Sequence, residues 1–468
     1  YSPMKFIQST LISIFMLVAL LAISSCSGKP ELLDTIPANS RMVMTINAEK
    51  ICSEFGIKFS ETGADIPGHL KRKIKPTDDV NAVLDLLGRL SASGAGDVKS
   101  MAMSVYDEVL FTTLHIETVE RIKALNCPWM QWGDDAGGYA TGTLGRGLTV
   151  VARDGQMWIF EHCPKAPAVV REMLGEAEKA SIGSLDAIAQ SLAADRYVNL
   201  AIISEEIKDN KNLAPFQAAT WALIGLNVDG PRFVSDIEMV KGTGEEIAVE
   251  GMQPINDAVL SYVPAACNVA FAAGLTPRFN WDYIKLLAAI GGDFQTRAAL
   301  DVAIPFLNSI DGTVMLAAAP ANEEAYSDPQ PGNWNFIIMA HMSREKIDQL
   351  LGMVRTMVFT TGRSPVTDKN GIMAIPQYGT TLYMGNVDGY FAVATFPFSN
   401  NRDNSLTPVM EGKEAAALFT VPSLATLSDG APEWGIDIKG QFDGSKGRIV
   451  ATLPGSEGSV LVNLLSLL

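Results

Sequence analysis

Ile36-Pro37-Ala38-Asn39-Ser40-Arg41-Met42-Val43-Met44 is a turn feeding a strand, and Val263-Pro264-Ala265-Ala266-Cys267-Asn268-Val269-Ala270-Phe271 reads the same way much later in the chain. Such an echo marks an internal repeat, which speaks to architecture and not to chemistry. Reading outward from the first copy, Asn47-Ala48-Glu49 caps a short helix that stops at Gly56. A polar passage follows to Thr77. Its basic run, His69-Leu70-Lys71-Arg72-Lys73-Ile74-Lys75, is expected to be a solvated loop. Beyond it Val80, Val83, Leu84, Leu87 and Leu90 share one face of an amphipathic helix. A hairpin turns at Tyr106-Asp107-Glu108, and Val119, Ile122 and Leu125 mark another helix. Three short strands with Gly-containing turns then meander to His162. Two helices, near 166–179 and 184–193, lead to a strand at Tyr197 and a closing set near 221–228, 233–240 and 247–251.

The second half repeats that order. Thr276-Pro277 begins a helix ended by Gly291-Gly292, and Phe294 to Leu307 is the next one. Strands near 313–319 and 334–342 precede a helix capped by Ser343. A second meander turns at Val387-Asp388-Gly389, where the first has Arg153-Asp154-Gly155. Strands near 415–420, 434–441 and 448–453 close the unit, and Val460 to Leu467 is a last helix, docked on the last domain. Strands in runs, broken by helices, predict an α+β fold of two related domains. Each is expected to be a mainly antiparallel sheet with helices packed on one face. The expected layout is a signal peptide over 1–25, an anchor and tether over 26–35, a first repeat over 36–257 and a second over 258–468.

The N-terminus reads as an address. Lys5 precedes an apolar run from Leu11 to Ile23, broken only by Ser13 and too short to span a bilayer. Ile23-Ser24-Ser25-Cys26 follows and resembles a bacterial lipobox, in which the cysteine thiol receives a diacylglyceryl group and its amine is then acylated. Several acyl chains make a near-permanent anchor. This lipobox, the short tether, and the opening Ile36-Pro37-Ala38, Ser40, Val43-Met44 and Asn47 with its later echo resemble the uncharacterised Bacteroidales envelope lipoprotein family, a domain of unknown function. The resemblance covers nearly the whole mature chain and implies an envelope lipoprotein. It carries over no catalytic or binding residue.

The chain's 468 residues exceed one ordinary core, and 47% hydrophobic with 19% charged residues is a globular composition. A formal charge of −16 repels phosphate backbones and excludes nucleic acid as a natural partner. His69, His115, His162 and His341 form no metal-ligand spacing, and no nucleophile or cofactor motif occurs, so no metal and no cofactor is expected. His115 and His341 end corresponding strands and read as structural. Cys127 and Cys163 each precede a proline; a bridge between them and buried free thiols both remain open. The binding hint is Cys127-Pro128-Trp129-Met130-Gln131-Trp132-Gly133-Asp134-Asp135. Flat indoles beside carboxylates suit sugar rings, while the same rings also suit a core cover.

The expectation is a non-enzymatic, lipid-anchored protein that binds or scaffolds a partner on the envelope. One alternative is a glycan- or peptide-binding lipoprotein of an outer-membrane uptake system, using Trp129 and Trp132. Another is a hydrolase with catalytic carboxylates such as Asp134 and Asp135. The residues after Cys26 hold no acidic cluster of the kind that favours surface export, so the periplasmic side of the outer membrane is expected.

Overall fold

A computed structural model describes residues 31–74, 76–203, 213–264, 267–281, 307–322, 325, 331–360, 366–368, 370–377, 380–399, 407–410, 412–426 and 432–465. Cys26, the signal segment and the two helices expected between Thr276 and Leu307 lie outside them, apart from the first residues after Thr276 and Leu307 itself. There Thr276 Oγ1 accepts the Arg278 amide, but 276–281 form turns and no helix. The chain is α+β, with mostly antiparallel sheet and few helices. It forms two compact units, one reaching Ile247 and resuming at Gly458, the other spanning Ala248–Glu457.

The strands of the first unit are β1 (Met42–Ile46), the small separate hairpin β2 (Lys58–Ser60) and β3 (Gly63–Asp65), β4 (Gly96–Tyr106), β5 (Val109–Ile116), β6 (Met130–Trp132), β7 (Ala140–Leu144), β8 (Leu148–Arg153), β9 (Gly155–Glu161), β10 (Val198–Ile203), β11 (Thr220–Asp229) and β12 (Arg232–Lys241). Antiparallel pairings set the main sheet's order as β6-β7-β8-β9-β5-β4-β1-β10-β11-β12.

The second unit holds β13 (Met252–Gln253), β14 (Val269–Leu275), β15 (Ile310–Pro320), β16 (Trp334–Met342), β17 (Val366–Thr367), β18 (Met373–Gln377), β19 (Thr380–Val387), β20 (Tyr390–Ala394), β21 (Ala415–Val421), β22 (Ile436–Asp443) and β23 (Lys446–Thr452). Its order is β17-β18-β19-β20-β16-β15-β14-β21-β22-β23, all antiparallel, with β13 added at the end of β14. Counted from β1 and from β14, the two orders are the same. Both sheets also carry an irregularity in the second strand, between Asp97 and Met101 and between Ile310 and Val314.

Local chemistry explains the first elements. Asn47 accepts the Lys50 amide at 3.2 Å and caps the helix Ala48–Phe55, which ends on Gly56 in the left-handed region at φ 65°. Thr77 accepts the Val80 amide at the head of the helix Asp78–Ser93, whose Asp78 and Asp79 suit the positive end of its dipole. Ala82, Val83, Leu84, Leu86, Leu87 and Leu90 of this helix are buried. Each fully buried leucine contributes about 2 kcal/mol.

The expectation of helices on one face is corrected in the first unit. Met44 and Ile46 of β1, with Met157 and Ile159 of β9, pack with residues of the helices Ala48–Phe55, Asp78–Ser93 and Val119–Ala124. Val43 faces the other way, with Ile188 and Leu192 of the helix Asp186–Leu192 and Phe216 of Leu213–Ala218. Trp158 and Phe160 join Val170 and Met173 of Ala166–Ala177. Successive apolar residues such as Met157-Trp158-Ile159-Phe160 have no solvent side, so cover is needed on both faces. In the second unit, Ala270, Met315, Ile337 and Leu418 share one cluster with Val259 and Leu260 of the turn Asp257–Tyr262. Ala273, Leu275, Ala340 and Met342 share another with Ile347 and Leu351 of the helix Arg344–Thr360.

Three further readings are corrected. The basic run is not a loop: Gly68–Ile74 is helical, and Leu70 supplies a buried contact that the surrounding charges conceal. The strand expected at 247–251 is absent. Only the bridge Val240–Glu246 forms, and Gly251 turns the chain at φ 84°. The final helix, Val460–Leu465, belongs to the first unit and not to the last domain; Leu461 and Val462 pack against that unit's core.

Candidate functional site

The loop that carries the paired tryptophans begins where a helix ends. Thr118 caps Val119–Ala124 by accepting the Arg121 amide at 3.3 Å. Asn126 takes φ 49°, and the Met130 amide returns to the Cys127 carbonyl at 3.0 Å. The chain then runs as β6 along β7, with Trp132 opposite Gly142. Beyond it the Gly133 amide donates to the Thr141 carbonyl at 2.9 Å, and Thr141 Oγ1 donates to the Asp134 carbonyl at 2.7 Å.

This path separates the four candidate residues. Trp129 is partly buried against the first unit's core, and its carbonyl accepts the Gly145 amide at 2.9 Å. Trp132 is also half-buried. Lys123 Nζ lies 5.5 Å from the centroid of its ring and 4.0 Å from Asp135 Oδ1. Asp134 and Asp135 are exposed. The structure thus brings Trp132, Asp135 and Lys123 together, uses Asp134 through its backbone, and packs both Trp129 and Trp132 against the first unit's core. A cation over an indole at such a site contributes about 0.5–1 kcal/mol. Lys123 was missed in the sequence because its partners lie across a chain reversal that no local pattern announces.

Cys127 faces a different group. Asp85 Oδ2 accepts from Arg89 Nε at 2.8 Å and from Cys127 Sγ at 3.3 Å. The hydrogen bond to Asp85 raises the Arg89 pKa, while burial pushes the Cys127 thiol up to about 11. A thiol so held is protonated at neutral pH and is a poor nucleophile. Cys163 packs in the Trp158 cluster, and both cysteines are free. The bridge does not form because Cys127 belongs to the core on the opposite sheet face.

The matched histidines also differ. His115 is exposed and pairs in register with Gln156. His341 pairs with Tyr390, their rings edge to face at 5.2 Å, and its Nδ1 contacts the Asp311 carbonyl. Gly312, at φ 141°, leaves room for that ring: a Cβ there would stand 2.7 Å from His341 Nδ1. Tyr262 OH donates to Asp388, and burial pushes its phenol up to about 12. These contacts hold turns against strands. Among the described residues, no group of three or more His, Cys, Asp and Glu side chains is placed to hold a metal ion.

Among the described residues, no helix is long and apolar enough to cross a membrane. Comparison with protein-family models, curated proteins and solved structures gives no match.

Proposed function

We propose that this chain is a lipid-anchored envelope protein, attached through Cys26, with a non-enzymatic binding or scaffolding role. In this reading it is a duplicated α+β protein related to the Bacteroidales envelope lipoproteins it resembles. The observation that supports the duplication is the shared strand order of the two sheets, repeated down to the irregularity in the second strand. The polar clusters support the non-enzymatic role, since Asp85, Arg89, Cys127, Tyr262 and Asp388 are engaged in contacts that hold the fold. The apolar run ahead of Cys26 supports the anchor. The expected place is the outer membrane, on its periplasmic side.

The test is envelope fractionation with crosslinking, comparing the wild-type chain with Cys26→Ala. Wild-type protein is expected in the salt-washed membrane fraction and joined to one defined envelope partner, while the variant moves to the soluble fraction. Retention of the variant in the membrane would overturn the anchor. Turnover of glycans or peptides by the purified chain would overturn the non-enzymatic role.

A glycan-binding role is the second reading, favoured by the meeting of Trp132, Lys123 and Asp135 beside the edge strand β6. Titration with oligosaccharides, with Trp132→Ala as control, separates it from the first. Saturable heat lost in the variant supports it, and no heat with either chain rejects it.

A further inference from the structure

We propose that the C-terminal end of the helix Arg344–Thr360 is a membrane-contacting tip that dips into an anionic bilayer surface. The helix has two parts. Ile347 and Leu351 are buried and hold its first turns on the sheet. Its last turns turn apolar side chains to solvent: Met353 is 44% exposed, Met357 63% and Phe359 74%. Met353 and Met357 are four residues apart and share a face, whereas Phe359 stands on another. Apolar groups therefore point outward on more than one side of the helix end. A groove in a protein would meet one face; a fluid apolar phase meets them all.

The helix is longer than its counterpart in the first unit. In the first unit, the helix between the third and fourth strands of the sheet is Val119–Ala124, with 6 residues. Its counterpart here has 17 residues. At 1.5 Å per residue that is about 9 Å against about 26 Å. Of the added residues, Leu351 and Val354 pack on the unit's core, and Met353, Met357 and Phe359 are exposed.

Charge selects the partner. From Gln349 to Thr360 the helix carries Arg355 and no carboxylate, in a chain whose formal charge is −16. Arginine beside inserted apolar side chains suits anionic headgroups at the acyl boundary. The three side chains offer on the order of 400 Å², well short of the roughly 800 Å² per partner of a stable protein interface. A bilayer needs no matching shape. The proposal does not use the Cys26 anchor, and its test removes it.

The experiment uses the full chain carrying Cys26→Ala, floated with vesicles of phosphatidylglycerol and phosphatidylethanolamine or of phosphatidylcholine alone. Co-flotation with the anionic vesicles is expected, falling about tenfold in the added variant Met357→Ser/Phe359→Ser. Both positions are exposed, so an unchanged urea midpoint shows that the variant is folded. Failure of the parent to float, or equal flotation of the variant, would overturn the proposal. So would a parent that elutes as a dimer and is dispersed by the double variant, which assigns the tip to a second copy. Whether wild-type protein is lipidated is read separately and leaves each of these outcomes distinct.

Discussion

Asp85→Ala tests how the first unit is knit together. Asp85 and Arg89 lie one turn apart on the helix Asp78–Ser93, with side chains 15% and 18% exposed. The guanidinium also donates to the Thr62 carbonyl at 3.3 Å and to the Leu125 carbonyl at 3.4 Å. This pair therefore ties the helix to the turn of the β2–β3 hairpin and to the end of Val119–Ala124. An exposed pair at this spacing contributes only about 0.5 kcal/mol. Here the loss of the carboxylate leaves a mostly buried cation with two long hydrogen bonds and no counter-charge. The expected cost is about 3 kcal/mol, with up to about 1 kcal/mol more from the thiol's lost acceptor. Amide hydrogen exchange of peptides from Asp78–Ser93 and from β4 reads this locally, without assuming that the two units unfold together. A double-mutant cycle with Arg89→Ala is expected to give a coupling of about 2 kcal/mol. A coupling under about 1 kcal/mol would show that water screens the pair and would refute the reasoning.

Gly88→Ala reverses the usual helix rule. A Cβ at Gly88 would stand 2.4 Å from the Gly63 carbonyl carbon and 2.6 Å from its oxygen, both backbone atoms. A destabilisation of about 2 kcal/mol or more is expected by thermal unfolding, where alanine would normally stabilise by about 1 kcal/mol. The turn between β4 and β5 holds Asp107 at φ 44° and Glu108 at φ 63°, so Asp107→Asn with Glu108→Gly should stabilise the first unit by about 1 kcal/mol, read by urea unfolding. Cys127 and Cys52 are pushed from 9.0 to about 11 and about 12 by burial. The folded chain keeps these protons after the unfolded chain has lost them. Their stabilisation is therefore complete below pH 9 and declines as pH rises towards 11–12, by about 3 kcal/mol for Cys127. Cys127→Ala should flatten part of that slope in an alkaline unfolding series. Thiol labelling of Cys127 at pH 8 should be about a hundredfold slower than that of a free thiol.

Elements with local signals were legible in the sequence. Asn47 caps a helix because a short side-chain oxygen reaches the next turn's amides. Asp107-Glu108 makes a hairpin turn between strands whose apolar content declares them. The second layer of helices was not legible as a layer. Met157-Trp158-Ile159-Phe160 carries the signal, but continuous apolar runs fix cover on both faces only when the sheet is known to lie between helices. Short pieces such as β2 and β3 had too few residues to announce a period. The helix Gly68–Ile74 was hidden because its lysines and arginine outnumber its buried leucine. At the candidate site, Trp129 and Trp132 were read as a pair because they are close in sequence. Both pack against the first unit's core, and Trp132 also has Lys123 over its ring. Asp85 and Arg89 have helical spacing, but nothing local tells a buried pair from a solvated one.

The most direct test of the anchored-scaffold account is the mass of the N-terminal peptide of the protein recovered from the envelope. The account predicts a peptide that begins at Cys26 and carries a diacylglyceryl group on the thiol and an acyl group on the amine. A peptide that runs through an unmodified Cys26 from the residues before it would contradict the account.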